Sequence, residues 1–494
     1  MIEGWEEVPK NAGLVYIKKR STVIIWAAVL SVFTTGIVLA SITMNIVISL
    51  SVALVLGGLT FLLLCIVNPK LGFLVTFALP FIGFELQRIL KLEIPVGLAV
   101  QIMFFLLLLI LLIKRKIQQG YNFKYLSSPI TYIILVTQLY IGIEAFNPDM
   151  HSIDGWLIVL RGSLAILVVY FVSLIVYDEE RFVQAFFFCW ILLATLSAIY
   201  ACYQEWVKIP AYVLSWIHAT EERYRLIFIV GKYRKFSLLS DPSAFGNFMA
   251  ISALTTIILA FKPNKSGTRI ALIASTALLI LAMGYSGTRT SYAMFLAGLI
   301  LYVLMTINNK RTLIFAVTGS LIFVVLIFGP IYGNATINRI RSTFNSEDKS
   351  LNVRDENRKS IQGYIYEHPI GGGVMTTGDA GMKYNPNHRL AGFPPDSGLL
   401  KTALELGWIG LILELVLYVI ALSIGIRSFY KSEDLKIKYY YLAICVLLFS
   451  VAVGSYAQSI QTQIPLMTVF FPCLAFIARL KGTELKSVIA NQNK

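Results

Sequence analysis

Cysteine chemistry has little to work with in this sequence. The five cysteines (Cys65, Cys189, Cys202, Cys445 and Cys473) fall within or near apolar runs and form no Cys-x-x-Cys pair. They read as small packing residues, not as a disulfide framework or a zinc site. The four histidines, His151, His218, His368 and His388, never take the His-x-x-x-His spacing of a helical zinc motif. There is no Asp-x-Asp pair to hold Mg²⁺ for a nucleotide-sugar donor. A Walker A loop is missing, which argues against an ATP-driven pump, and so is a Gly-x-Ser-x-Gly elbow. No metal and no cofactor is expected. Charge is sparse at 14% of residues, and neither an internal repeat nor a low-complexity tract is present.

Apolar residues fill that space. They make up 57% of the 494 residues, with a mean hydropathy of +0.73, against about 45–50% in soluble domains. Runs long enough to cross a bilayer, roughly 17–25 residues each, recur throughout. The expected fold is all-α, a polytopic membrane helix bundle of about fourteen spans, read as one integral membrane domain over 1–494. The spans are expected near 22–43, 45–66, 70–88, 96–114, 129–146, 156–177, 182–203, 243–261, 269–285, 289–306, 312–331, 397–424, 437–456 and 463–480. The first follows Lys18, Lys19 and Arg20 with no small-residue cleavage site after it, and reads as an uncleaved span. Two connections are long, 204–242 and 332–396.

The charges orient this bundle. Lys114-Arg115-Lys116, Lys262/Lys265/Arg269, Lys310-Arg311, Arg427/Lys431/Lys436/Lys438 and Arg479/Lys481 occupy alternate loops, on the same side as the basic N-terminal segment. By the positive-inside rule that side is cytoplasmic. Both termini are therefore expected inside, and both long loops outside. Much of the net charge of +15 is this cytoplasmic collar, so it does not signal a nucleic-acid partner. The long loops also hold Arg223, Arg225, Lys232, Arg234 and Lys235 in the first and Arg339, Arg341, Arg354, Arg358, Lys359 and Arg389 in the second, and most of these read as solvated surface.

A few polar residues stand where they are costly or conspicuous. Arg289, in "MGYSGTRTSYAMFLAGL", sits at the external end of a helical hairpin among Ser286, Gly287, Thr288, Thr290 and Ser291. It reads either as a snorkelling arginine or as the centre of a polar pocket for an anionic group. Arg161 lies about five residues, or roughly 7–8 Å, below the expected external boundary of its span. Asp241, at the outer start of another span, is a candidate partner for Arg161 or a plain helix cap. Arg354 and Arg358 share a helix face at i, i+4, and two guanidiniums so placed suit a diphosphate. Asp355 and Lys359 read as a surface pair on the same segment. After the turn-rich stretch 368–398, Asp396 or Ser397 is expected to cap the next helix. Asp396 is also a candidate general base. Lys401 and Glu405 are spaced to pair at i, i+4, and Glu414, deeper, reads as structural.

Three segments resemble the O-antigen ligase and O-antigen polymerase superfamily of bacterial envelope glycan enzymes. "SGTRTSYAMFLAG" is similar to its Ser-Arg hairpin. Arg354 through "HPIGGG" is similar to the arginine-led helix and Pro-x-x-Gly-x-Gly turn of its large periplasmic loop. "DSGLLKTALELGWIGLILEL" is similar to the segment after that loop, with Glu405, Gly407 and Gly410 in its Glu-x-Gly-x-x-Gly pattern. The resemblance implies a GT-C-like membrane glycosyltransferase that needs neither metal nor nucleotide. It would move a glycan from an undecaprenyl-diphosphate carrier to a glycan, lipid or protein acceptor on the periplasmic face of the bacterial inner membrane. It also implies that Arg289 and Arg354 bind the diphosphate; by their own placement Arg358 and Arg161 are further candidates, with Asp241, Lys401 and Glu405 in support. Ligases of the family usually carry a His-Asn pair where this chain has Asp396-Ser397. Asp396 then takes the place of the base, and His388 is the possible substitute.

Ligase and polymerase share this chemistry: the first hands a finished glycan to lipid A core, another lipid or a protein, and the second joins repeat units. A lipid-linked sugar transporter or flippase is the rival of another class. It would show internal pseudo-symmetry and midplane charges, and neither is evident. With both long loops outside, a cysteine placed at Asp379 in intact cells with a permeable outer membrane should react with an impermeant thiol reagent. Labelling confined to lysed membranes would reverse the orientation.

Overall fold

The computed structural model describes residues 46–93, 95–118, 127–177, 180–229, 231–310 and 349–479, with isolated positions between 312 and 341. The expected spans 22–43 and, for the most part, 312–331 lie outside the described residues, as do Arg20, Arg339 and Lys481. The other twelve expected spans each coincide with a helix. In chain order these are α1 (Ile46–Val67), α2 (Pro69–Leu90), α3 (Val96–Gln118), α4 (Pro129–Ile143), α5 (Ile153–Val176) and α6 (Glu180–Trp206). Then come α9 (Pro242–Ala260), α10 (Ser266–Ser286), α11 (Arg289–Met305), α14 (Gly398–Lys431), α15 (Leu435–Ser455) and α16 (Met467–Arg479). Among the described residues nine helices are long and apolar enough to cross a membrane, and the apolar stretches in α1, α11 and α16 are shorter. The protein is an all-α polytopic membrane bundle.

The long connections carry structure of their own. In the first, α7 (Ala211–Ile217) and α8 (Glu221–Ile227) precede a hairpin of β1 (Phe228–Ile229) and β2 (Lys232–Tyr233), with Phe228 paired to Tyr233. In the second, α12 (Lys349–Glu367) and α13 (Gly378–Tyr384) lead into α14. Between α12 and α14 a small apolar cluster of Ile361, Tyr364, Leu390 and Leu404 anchors the second loop on the helix that follows it.

Helix α9 is the hub. Its spanning stretch is 89% enclosed by other helices, against 22–44% for most of the others. Lipid is as apolar as leucine, so close packing and internal hydrogen bonds hold the bundle, not hydrophobic exclusion alone. An edge-to-face aromatic cluster (Phe73, Phe77, Tyr177, Phe182, Phe186) has ring centroids 5.3–6.4 Å apart. It fills the space between α2 and α6, and the Trp190 indole there donates to Ser252 Oγ of α9 at 2.9 Å.

Helix α14 is broken at Gly407, whose φ of 64° and ψ of −161° belong to a region essentially reserved for glycine. The two arms fold sharply. Thr402 Oγ1 donates to Glu414 Oε2 at 2.8 Å, although a straight helix would hold residues so spaced about 18 Å apart. The arm Trp408–Lys431 runs about 36 Å at 1.5 Å per residue, enough to cross the roughly 30 Å hydrocarbon layer alone. The expected span 397–424 therefore shifts: its residues 398–406 form a separate arm before the break.

The break frees backbone groups, and the Pro369–Gly373 turn satisfies them. Trp408 N–H donates to Pro369 O at 2.9 Å, and Gly372 N–H donates to Leu404 O at 2.8 Å. The fit leaves no room for side chains. A Cβ on Gly407 would stand 2.2 Å from Pro369 O, and one on Gly371 would stand 2.5 Å from Glu405 O and from Gly407 N. Gly407→Ala should therefore destabilise the protein by on the order of 3 kcal/mol and lower its unfolding temperature. Gly142→Ala, where the added Cβ meets nothing within 4 Å, should not. Equal unfolding curves for the two variants would contradict this account of the break.

Candidate functional site

Helices α9, α11, α12 and α14 come together around the segment Tyr456–Gln463 that follows α15. The α10–α11 connection is short because Gly287 adopts φ 58° and ψ 23° at the C-cap of α10, the left-handed position that ends helices. Arg289 then opens α11, half-buried. Ser291 Oγ donates to Asn247 Oδ1 of α9 at 2.9 Å, and Asn247 Nδ2 donates to Gln463 Oε1 at 3.3 Å. One turn above Asn247, Gln458 Nε2 donates to Ser243 Oγ at 2.6 Å. On its other side the Tyr456–Gln463 segment receives α12: Arg358 Nη1 donates to the Tyr456 hydroxyl, and its guanidinium lies 4.2 Å from that ring's centroid. Gln461 Nε2 donates to Glu414 Oε1 at 2.7 Å, which ties in the lower arm of α14. Three glutamines of one connection thus hold α9 and α14 in register. The sequence marked this connection as nothing more than a loop between spans. Its signal was there to see, in three amides within six residues beside an apolar helix.

Asp396 sits at this mouth, half-buried, and Asn357 Nδ2 of α12 donates to its Oδ2 at 3.1 Å. Ser397, not Asp396, is the N-cap of α14, its Oγ accepting from Leu400 N–H at 3.3 Å. The Asp396 carboxylate is therefore not spent on capping. Positions 354, 357 and 358 share one face of α12 at i, i+3, i+4. The side chains of Arg354 and Asp355 lie outside the described residues.

His388 stands at the other end of the α12 face. Its Nδ1 accepts from Leu390 N–H at 3.1 Å, and its Nε2 lies 3.5 Å from the Tyr364 hydroxyl. An amide can only donate, so a neutral His388 carries its proton on Nε2, and its basic lone pair is already occupied. Burial pushes the His388 pKa down, opposed by Asp149 and helped by His151 and His368. The Tyr364 phenol is pushed up to about 12, by burial and then by Asp149. Tyr364 and His388 therefore form a neutral pair at neutral pH. His368 stacks on Tyr364 with centroids 3.9 Å apart, and no cluster of three or more metal-ligating side chains occurs among the described residues.

Three of the expected arrangements change, and Asp241 takes the plain-cap alternative. Glu405 does not pair with Lys401; it is buried and accepts from the Thr377 hydroxyl and amide, which clamps the glycine turn to α14. Arg161 and Asp241 are not partners. Asp241 caps α9, its Oδ1 accepting from Ser243 N–H at 2.8 Å and Ala244 N–H at 2.9 Å. Arg161 lies on an exposed face of α5, eight residues from the helix start, about 12 Å along its axis. Finally, Arg234 and Lys235 are not solvated surface. Lys235 is buried, with Nζ 2.8 Å from Glu205 Oε2. Arg234 lies over the Ser286–Thr288 turn.

The three segments described here fall inside one stretch of chain. A family model described as O-Antigen ligase matches residues 274–415. Over that stretch the match supports a member of the O-antigen ligase and polymerase superfamily. No curated protein matches it. The matched stretch runs from within α10 to the start of the lower arm of α14, so it includes the Arg289 turn, α12, the glycine turn, Asp396 and the break at Gly407. Arg161, Asp241 and the glutamine connection lie outside it. The match supports O-antigen ligase or polymerase family activity, and that family implies a membrane glycosyltransferase-like enzyme with a lipid-linked glycan substrate in a bacterial membrane.

Proposed function

We propose that this protein transfers a glycan from an undecaprenyl-diphosphate carrier to an acceptor hydroxyl on the external face of the bacterial inner membrane, as a ligase. The observation that carries the reading is the convergence of three segments of the matched stretch on one mouth. These are the Arg289 turn, the α12 face with Arg358, and Asp396 held by Asn357. The acceptor oxygen attacks the anomeric carbon, and the bond from that carbon to the diphosphate oxygen breaks. Its electron pair leaves on the diphosphate, and the hydroxyl proton passes to Asp396. Negative charge grows on the leaving group, and arginines fixed in a water-poor setting meet it without metal. Arg289, Arg354 and Arg358 are assigned to that task, with Arg161 along the path of the lipid. Asp396 is preferred over His388 as base because Asn357 occupies one carboxylate oxygen, whereas the His388 lone pair accepts from Leu390.

Polymerisation of lipid-linked repeat units is the second reading, favoured by Asp396-Ser397 standing where ligases usually carry His-Asn. Incubating the purified protein with a lipid-linked oligosaccharide and candidate acceptors separates them. Movement of the glycan to a new acceptor supports the ligase, lengthening on the carrier supports the polymerase, and a mere change of leaflet rejects both. In the productive assay Arg289→Ala should lose about 10²–10³ in rate, and Asp396→Asn roughly 10²–10⁴ with carrier binding intact. Full activity in Asp396→Asn together with loss in His388→Ala would move the base to His388.

A further inference from the structure

We infer that Arg234, from the first external loop, is a positioning residue for the anion-binding turn, an inference that rests on the reading that Arg289 meets the carrier diphosphate. A helix leaves its last carbonyls and first amides without partners. At the α10–α11 hairpin both ends fall within three residues. Arg234 Nε donates to Ser286 O, at the C-terminal end of α10, at 2.8 Å. Its Nη2 donates to the hydroxyl of Thr288, the N-cap residue of α11, at 2.7 Å, and its Nη1 donates to Leu226 O at 3.2 Å. Thr288 makes no side-chain cap bond of its own, though threonine at this position ordinarily accepts from the helix amides. Its hydroxyl donates instead to Pro242 O at 2.8 Å. One planar guanidinium therefore closes the hairpin from both sides, immediately before Arg289.

Arg234 is itself held from behind. Lys235 N–H donates to Tyr285 O at 3.0 Å, and its ammonium pairs with Glu205. Further along, the buried Arg88 of α2 pairs with Glu85 at 2.7 Å and donates to Ser237 O at 2.7 Å and to Leu239 O. The segment 234–241 is thus a strap laid over the turn, fixed at one end by its own cations and at the other by Arg88. Its last residue, Asp241, caps α9. A lysine at 234 would keep the charge but reach one acceptor at a time, since an ammonium lacks the fork that spans Ser286 O and Thr288 Oγ1.

The test uses the full chain in lipid nanodiscs with undecaprenyl diphosphate as the probe, measuring its affinity and the thermal unfolding of each variant. Arg234→Lys should weaken probe binding about tenfold with unfolding unchanged. Arg234→Gln should weaken it further, and the double variant Arg234→Gln/Arg289→Ala should bind no worse than Arg289→Ala alone, because the two residues act as one unit. If Arg234→Gln does not insert, the Arg234→Lys pair of variants carries the comparison. Unchanged affinity in a folded Arg234→Lys protein, or losses that simply add in the double variant, would overturn the inference while leaving the role of Arg289 standing. Normal probe binding by Arg289→Ala would remove the cradle reading, and this inference with it.

Discussion

Two glycines in van der Waals collision distance of each other's backbone fix how the second long loop sits on the bundle. Gly371 and Gly407 approach so closely that neither position has room for a Cβ. The contact does two things at once. It lets α14 break with its freed backbone groups satisfied by the Pro369–Gly373 turn, which a helix near the membrane requires. It also seats the second loop on the break, so that α12 and Asp396 come to rest against the same mouth as the Arg289 turn. Glu405 reinforces the seat through Thr377, and Tyr140 adds a hydroxyl bond to Leu406 O at 2.8 Å. The Glu-x-Gly-x-x-Gly pattern at 405–410 and the Pro369–Gly373 turn are therefore the two halves of one joint, and their glycines serve close approach more than ligand contact.

Much of the bundle was legible in the sequence because its signals are one-dimensional. Apolar runs of spanning length give helices wherever they occur, and all twelve expected spans that fall among the described residues are helical. The helix cap at 396–397 and the helix that carries Arg354 and Arg358 were legible for the same local reason. What the sequence did not give away depends on partners distant in the chain. Lys401 and Glu405 have the spacing of an ion pair, but a buried Thr377 hydroxyl from another turn takes the carboxylate. Arg234 looked like any loop arginine until the hairpin it caps, some fifty residues later, came to lie beneath it. Arg88 and the three glutamines were passed over because a helix interior and a short connection hide polar residues equally well.

The arrangement also separates two tasks by charge. The Arg234 guanidinium lies over the Ser286–Thr288 turn and that of Arg358 on Tyr456, while the Asp396 carboxylate accepts from Asn357 of α12. The neutral Tyr364–His388 pair marks the far end of the same helix face, about 10 Å along α12. On the proposed reading, a diphosphate leaving group and an acceptor hydroxyl would each meet one of these two kinds of group.

The central claim is that this mouth is where the carrier's diphosphate sits. A cryo-EM map of the protein in nanodiscs with undecaprenyl diphosphate bound tests it directly. The account predicts diphosphate density between the start of α11 at Arg289 and the Arg354–Arg358 face of α12, with Asp396 bordering the anomeric position. Density lodged instead near the bilayer midplane, away from the Arg289 turn, would contradict it and point to a path for transport.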